Sequence, residues 1–107
     1  MSLLGGSFFA QDCPICIVEI SNFEQKECSS GPGLGYTVSF LKEPKKKQIY
    51  IANRWGNVIQ ELDKDNGCFP MGDNPSGVYH LIVIGKFNRK VTEQVQKSVD
   101  YLAPSKN

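Results

Sequence analysis

The chain has 107 residues, of which 40% are hydrophobic, and a formal net charge of +1 at pH 7. A chain of this length forms one domain that buries roughly 60–70% of its unfolded surface, which is enough for a single core. The near-neutral charge argues against a nucleic-acid partner, which needs a strong positive field. No apolar run approaches the ~20 residues of a bilayer-spanning helix, so membrane insertion is not expected.

Residues 1–12 (MSLLGGSFFAQD) are expected to be a disordered N-terminus or the remnant of a signal peptide. Terminal segments are usually unordered unless they are tied to the domain. Residues 7–10 fit a signal-peptidase site loosely, although the basic and long apolar regions of a signal peptide are missing. A single domain is predicted over residues 13–103, followed by a tail at 104–107.

The first half of the chain predicts two strands. Residues 13–20 (CPICIVEI) form the first, with Cys16, Val18 and Ile20 on one face. Residues 21–35 contain Asn, Ser, Gly and Pro and are predicted to be a loop. Residues 36–41 (YTVSFL) alternate with a period of two, which predicts a second strand with its aromatic and branched side chains facing the core.

The second half is organised around residues 48–85. Residues 48–62 (QIYIANRWGNVIQEL) predict a β-hairpin, because Gly and Asn in NRWGN tolerate the left-handed geometry of a turn. Residues 63–74 are rich in Asn, Gly and Pro and are predicted to be a spacer. Residues 78–84 (VYHLIVI) are nearly all apolar, which predicts a central strand covered on both faces.

The tail supports two interpretations. Val91, Val95, Val99 and Leu102 have the spacing of an amphipathic helix, whereas their β-branched side chains weaken the helical alternative. We predict a strand to about Val95 and then a short helical or frayed end. The fold class is therefore predicted to be all-β, a small antiparallel immunoglobulin-like β-sandwich of about six or seven strands, with a short C-terminal helix as an alternative feature.

Three motifs, NRWGN, PSGVY and KFNRKVTEQV, follow one another within residues 47–95. This series resembles the small C-terminal β-sandwich domains of Bacteroidetes secreted proteins, the type IX secretion sorting and gliding-associated domains. Those domains have a strand, an N-x-x-G turn, a strand, a PSGVY turn into another strand, and a basic tail. The resemblance implies a sandwich fold and a sorting role at the cell surface. The cysteines are not part of the pattern, and the chain continues about ten residues beyond its usual end.

The four cysteines, Cys13, Cys16, Cys28 and Cys68, are candidates for disulfides, because an even number in a short chain is typical of secreted proteins. This predicts a secreted, extracellular or periplasmic location. We prefer pairing one N-terminal cysteine with Cys28 and the other with Cys68, since a Cys13–Cys16 bridge is awkward in an extended chain. The C-x-x-C could instead serve a thiol oxidoreductase, and four thiolates could bind zinc, but neither has its usual context.

Other candidate residues favour binding over catalysis. His80 is the one histidine, and no partner for a catalytic pair can be assigned to it, so it is predicted to be a half-buried strand residue. Arg54 and Trp55 lie at the predicted turn and could anchor a partner, although a tip packed back on the sheet is the preferred interpretation. Lys42, Lys45, Lys46 and Lys47 form a predicted basic loop, for which a solubilising connector is the preferred interpretation and a contact for phosphate or polysaccharide the alternative.

These observations predict no catalytic residues, no metal site and no cofactor. The preferred hypothesis is a non-catalytic secreted or cell-surface binding or sorting module. Its partner would be a protein or a cell-surface component, with Arg54, Trp55, Lys45, Lys46 and Lys47 as candidate contacts. A disulfide-stapled secreted effector or inhibitor is the alternative hypothesis, and an oxidoreductase that uses Cys13 and Cys16 is the third.

Overall fold

The computed structural model describes residues 17–104, so the predictions for residues 1–12, Cys13 and Cys16 lie outside the described residues. Seven strands occupy most of this range, and no helix occurs within it. In chain order the strands are β1 (Val18–Cys28), β2 (Gly31–Phe40), β3 (Lys46–Ala52), β4 (Val58–Leu62), β5 (Asn66–Pro70), β6 (Gly77–Lys86) and β7 (Thr92–Tyr101).

The strands form two antiparallel sheets with the orders β1-β2-β5 and β4-β3-β6-β7. If the strands are lettered A, B, C, C′, E, F and G in chain order, these sheets are A-B-E and C′-C-F-G. This is the strand arrangement of a seven-stranded immunoglobulin-like sandwich. The predicted fold class is therefore confirmed.

A tyrosine at the start of β6 shows a second feature of this fold. The Tyr79 hydroxyl donates a 2.7 Å hydrogen bond to the Pro75 carbonyl oxygen, four residues earlier. Immunoglobulin-like domains carry such a tyrosine corner near the start of strand F. The bond ties the turn between β5 and β6 to the sheet, so the PSGVY segment is a structural element of the sandwich.

The core lies between the two sheets and, among the described residues, consists of hydrophobic side chains that include three tyrosines. Alternating positions of β2, β3 and β6 supply most of it, as the period-two pattern predicted for β2 and β3. Burial of this apolar surface is the main driving force for association of the two sheets. The largest side chains buried almost completely are Val18, Leu34, Ile51, Met71, Leu81, Val83 and Tyr101.

The prediction of a loop over residues 21–35 is wrong, because β1 and β2 extend into a long hairpin whose turn is Ser29–Ser30. Phe23 and Leu34 are buried within the supposed loop. Glycines and polar residues suggested a loop, but they occupy the outer positions of these strands. Long-range pairing thus overrides the weak local propensity of the segment.

The predicted spacer over residues 63–74 contains the edge strand β5, which pairs with β2 from Gly33 to Thr37. Its composition is unusual for a strand, but an edge strand tolerates Gly and Pro because one side of its backbone needs no partner. The amide of Val38 also donates to the Asp65 carbonyl oxygen at 2.7 Å, just before β5 begins.

Two expectations for the C-terminal half also fail. Only one face of β6 is buried, with Leu81 and Val83 in the core, whereas Ile82 and Ile84 on the other face remain half-exposed. The prediction of a strand that ends near Val95 and gives way to a short helical or frayed end is wrong, as is the helix alternative, because β7 continues to Tyr101 and pairs with β6 along its whole length. Cross-strand pairing decides this segment, as the β-branched residues suggested.

The disulfide joins Cys28 to Cys68, with their Cα atoms 5.6 Å apart. The preferred pairing of each with an N-terminal cysteine is therefore wrong. Cys28 ends β1 and Cys68 lies on β5, on either side of β2, and the bridge passes over Gly33 in between. A Cβ atom at Gly33 would collide with the Cys28 sulfur, so the absence of a side chain there permits the bridge.

Side chains form hydrogen bonds between β1, at the edge of one sheet, and β7, at the edge of the other. At one end, the Glu93 carboxylate accepts hydrogen bonds from the amides of Ile17 and Val18, at 2.9 and 3.0 Å. At the other end, the Gln25 amide both donates to the Leu102 carbonyl oxygen and accepts from the Leu102 amide, at 3.0 and 2.9 Å. These contacts occupy backbone groups that an edge would otherwise expose.

Candidate functional site

The candidate binding residues lie at two opposite ends of the sandwich. Strand β3 runs from Lys46 to Ala52, so Lys45 and Lys46 lie at its start, whereas Arg54 and Trp55 follow its end. Seven extended residues span roughly 23 Å. The two groups therefore cannot form one small site and are considered separately.

The turn between β3 and β4 is held by several hydrogen bonds. The Asn53 side-chain oxygen accepts from the amides of Trp55 and Asn57, each at 3.0 Å. Two backbone bonds add to these, from the Asn53 amide to the Asn57 carbonyl and from the Gly56 amide to the Asn53 carbonyl. Gly56 has a φ of 85°, a conformation that favours glycine. The NRWGN sequence thus forms a turn of defined geometry.

This turn presents Trp55 to solvent with 70% of its surface exposed, so the preferred interpretation of a packed tip is wrong. The Arg54 guanidinium lies 4.7 Å from the centroid of the indole ring, which is a cation–π distance. Val58, the first residue of β4, is 54% exposed at the same end. Trp and Arg are two of the residue types that most often anchor protein partners, and Val58 adds apolar surface at this end.

Lys47 is not part of a free basic loop, which corrects that prediction. Its ammonium nitrogen lies 3.0 Å from one carboxylate oxygen of Asp65 and 3.6 Å from Glu43, and it lies 5.1 Å from the Phe40 ring centroid. The hydrogen bond to Asp65 raises the pKa of Lys47 further above its ordinary value. Lys47 therefore joins β3 to the β4–β5 connection and is not available to a ligand.

An open cleft of about 500 Å³ lies beside this ion pair and is lined in part by Glu61, Asp63 and Asp65. Burial and these neighbouring Asp carboxylates raise the pKa of the Tyr36 phenol. Within residues 17–104, no group of three or more His, Cys, Asp or Glu side chains is arranged to hold a metal ion. The cleft is shallow and polar, unlike the largely apolar pockets that enclose small molecules.

His80 is half-buried on β6, as predicted, and its Nδ1 atom lies 2.7 Å from the Ser98 hydroxyl on β7. The two residues are cross-strand partners on the outer face of the sheet. A hydrolytic Ser–His pair acts with an orienting acid and an oxyanion hole in a cleft. We interpret this contact as a cross-strand hydrogen bond that stabilises the sheet.

Lys45 and Lys46 are exposed, and the structure adds three further cations that sequence reasoning missed. Lys46 lies directly opposite Lys86 in the sheet register, and the Lys45 amide donates to the Lys86 carbonyl at 2.8 Å. Arg89 and Lys90 follow in the β6–β7 turn, which is held by the Asn88 side chain. Predicting that β3 and β6 pair at their basic ends would have found them.

No family model, curated protein or solved structure matches this chain. The assignment of the fold therefore depends on the strand order and the Tyr79 corner. Among residues 17–104, there is no helix with the length and apolar character needed to cross a membrane.

Proposed function

We propose that the protein is a non-catalytic binding module of the secreted or cell-surface type, and that a protein partner docks on the Arg54–Trp55 turn. The observation that carries this proposal is the exposure of 70% of Trp55 on a turn fixed by four hydrogen bonds. Trp and Arg are enriched among the few residues that carry most of the binding energy of protein interfaces. A fixed turn also lowers the entropy cost of binding, because little is left to be ordered.

The Cys28–Cys68 disulfide supports a secreted or cell-surface location. Disulfides persist in extracellular and periplasmic compartments and are reduced in most cytosols. The bridge is compatible with each of these oxidising locations. Measuring whether Cys28 and Cys68 are oxidised in the mature protein therefore tests this part of the proposal directly.

The resemblance to type IX sorting domains adds a specific role to this proposal. In this chain the NRWGN segment is the β3–β4 turn, and PSGVY leads into β6 at the same end of the sandwich. A sorting machine would then recognise this end, where Trp55 is 70% exposed. The role as a sorting signal and the role of Trp55 can be tested together.

The test attaches the whole chain to the C-terminus of a secreted reporter in a Bacteroidetes strain with type IX secretion. We expect the reporter at the cell surface, and its retention in the periplasm when Trp55→Ala is introduced. Leu41→Ala is the matched control, because Leu41 is 81% exposed and follows β2 at the opposite end of the sandwich, so its loss should leave surface delivery unchanged. Periplasmic retention of the unmodified fusion would contradict the sorting role.

A secreted effector or inhibitor is the second candidate function, since the same turn would serve it. A photo-crosslinking amino acid in place of Arg54 would then capture one partner in intact cells or tissue. Capture should be lost with Trp55→Ala and kept with Leu41→Ala, at the opposite end of the sandwich. A crosslink that survives Trp55→Ala would show that the turn is not the anchor.

A further inference from the structure

The outer face of the four-stranded sheet is a second surface with a distinct chemistry. Strand alternation places the side chains of Ile82 and Ile84 on this face, opposite the buried Leu81 and Val83. The register then assigns one row of neighbours to each position. From one end to the other, the rows are Lys46, Lys86 and Thr92; Gln48, Ile84 and Gln94; Tyr50, Ile82 and Gln96; and Ala52, His80 and Ser98.

The first row is strongly basic. Lys46 and Lys86 lie directly opposite each other, an arrangement of like charges that destabilises a sheet. Seven of the twelve Lys and Arg residues fall in segments 42–47 and 86–90, against one acidic residue, Glu43. Glu43 contacts Lys47, so it does not neutralise the row. An anion placed between Lys46 and Lys86 would relieve their repulsion.

The next rows combine amides with half-exposed apolar surface. Gln48, Gln94 and Gln96 surround Ile82 and Ile84 on the face. Each amide offers two N–H donors and one carbonyl acceptor, and such groups match the hydroxyls of a sugar. The isoleucines and Tyr50 supply a flat apolar area on which the C–H faces of sugar rings can lie.

We propose that this sheet face binds an acidic polysaccharide, with carboxylate or sulfate groups against Lys46 and Lys86 and successive sugar rings across the glutamine rows. Acidic side chains of the face lie away from the basic row. Glu61 neighbours Tyr50, and Asp100 pairs with Val78 at the far end. This charge gradient favours contact of the polymer's acidic groups with the basic row. The site is separate from the Arg54–Trp55 turn and does not depend on it.

A polysaccharide fits this face better than the other common polyanions. Single-stranded nucleic acid is held by several stacked aromatic side chains, whereas Tyr50 is the one Phe, Tyr or Trp at the outer positions of the described strands β3, β6 and β7. Anionic membranes are bound by basic clusters beside apolar side chains that insert, whereas the apolar neighbour of Lys86 on this face, Ile84, is half-exposed and lies within the sheet between Gln48 and Gln94.

The test measures binding of the full oxidised chain to polygalacturonate by isothermal titration calorimetry, with neutral dextran as the uncharged probe. We expect binding to polygalacturonate that weakens with salt and no binding to dextran. Lys46→Ala and Lys86→Ala should each weaken binding about fivefold, as for one exposed ionic contact. Gln96→Ala should weaken it about threefold although the charge is unchanged, as for one exposed hydrogen bond.

Lys97→Ala is the matched control, because it removes the same charge from the opposite side of β7, where Lys97 pairs with the core residue Leu81. It should change binding less than twofold, because direct contacts of Lys46 and Lys86 with the polymer should matter more than the net charge of the protein. Trp55→Ala should also leave binding unchanged, which separates this site from the proposed protein-docking turn.

Several results would overturn the proposal. They are an absence of binding to polygalacturonate, equal effects of Lys97→Ala and Lys86→Ala, or no effect of Gln96→Ala. Equally tight binding of double-stranded DNA or phosphatidylglycerol vesicles would show an unspecific basic patch. A dimer in solution that Ile82→Arg dissociates would show that a second copy covers the face.

Discussion

Two buried tyrosines share one corner of the core but differ in how their hydroxyls are satisfied. The rings of Tyr79 and Tyr101 pack edge to face, with centroids 6.1 Å apart. Tyr79 donates to the Pro75 carbonyl, whereas the Tyr101 hydroxyl is buried with no hydrogen-bond partner among residues 17–104. Burial also raises the pKa of Tyr79. The two hydroxyls should therefore contribute to stability with opposite signs.

We expect Tyr101→Phe to leave the free energy of unfolding unchanged or to raise it by up to about 1 kcal/mol, because an unpaired buried hydroxyl is removed. Tyr79→Phe should lower it by about 1 to 1.5 kcal/mol, because a made hydrogen bond is lost. Urea unfolding of both variants measures the difference. A clear loss of stability in Tyr101→Phe would reveal a partner for its hydroxyl.

At the scale of elements, the glycines of β2 explain how a strand rich in breakers is held in the middle of a sheet. Gly33 lies beneath the disulfide and beside the backbone of Phe69, and Gly35 lies beneath the aliphatic part of Lys26. Both are buried on the outer face of the sheet. Because Gly33 and Gly35 have no side chains, the side chains of the neighbouring strands can cover β2 at these positions.

A comparison of Gly33→Ala with Gly35→Ala tests this packing. A methyl group at Gly33 would collide with a disulfide sulfur and a backbone oxygen, so we expect a loss of about 3 kcal/mol in unfolding free energy. At Gly35 the collision is with a flexible lysine stem that can move away, so the loss should be about 1 kcal/mol.

Thermal unfolding of the two variants gives the order of their costs. A third variant, Gly33→Ala combined with Cys28→Ala and Cys68→Ala, should show only part of the Gly33 penalty, because the Phe69 oxygen remains in place. Equal costs at Gly33 and Gly35 would contradict the assigned role of the bridge.

The elements differ in how far the sequence alone predicted them. Strands β3, β4 and β6 carry their own apolar runs and turn residues, so period and propensity were enough to find them. The C-terminal part of β1 and the whole of β5 form strands only because they pair with β2. Such pairing is a long-range effect that a local pattern of Gly, Asn and Pro conceals.

At the scale of the whole molecule, the disulfide connects two strands of one sheet that are not direct neighbours. Its cysteines are 40 residues apart in the chain, so the chain-entropy model gives a stabilisation of about 4 kcal/mol. That is a large part of the total stability of a small domain. The core alone should therefore leave the reduced protein only marginally folded.

We expect Cys28→Ala with Cys68→Ala to lower the melting temperature by about 15–30 °C, given the usual conversion for a domain of this size. The comparison is made in a Cys13→Ser, Cys16→Ser background, which prevents exchange with other thiols. Calorimetry measures the difference, and peptide mapping of the native protein checks the pairing. Mapping that joins Cys28 to Cys13 or Cys16 would contradict it.

The candidate surfaces were predictable only in part. Trp55 and Arg54 were recognised from their position in a turn, but burial is a property of the folded chain and the exposure of the ring could not be inferred. Lys45 and Lys46 were recognised as basic, whereas their neighbours Lys86, Arg89 and Lys90 are some forty residues away in the chain. Only the register between β3 and β6 brings these groups together.

The hydrogen bonds that Glu93 and Gln25 make between β1 and β7 affect how the domain would respond to a pulling force. Strands β1 and β7 run in the same direction, so Ile17 and Pro104 leave the sandwich at opposite ends. Tension applied between these two points would slide β1 along β7. The hydrogen bonds of Glu93 and Gln25 would then be loaded at the same time and would not break one after the other. Resistance to stretching is set by the rate of unfolding, and two small polar contacts are placed where they would slow it.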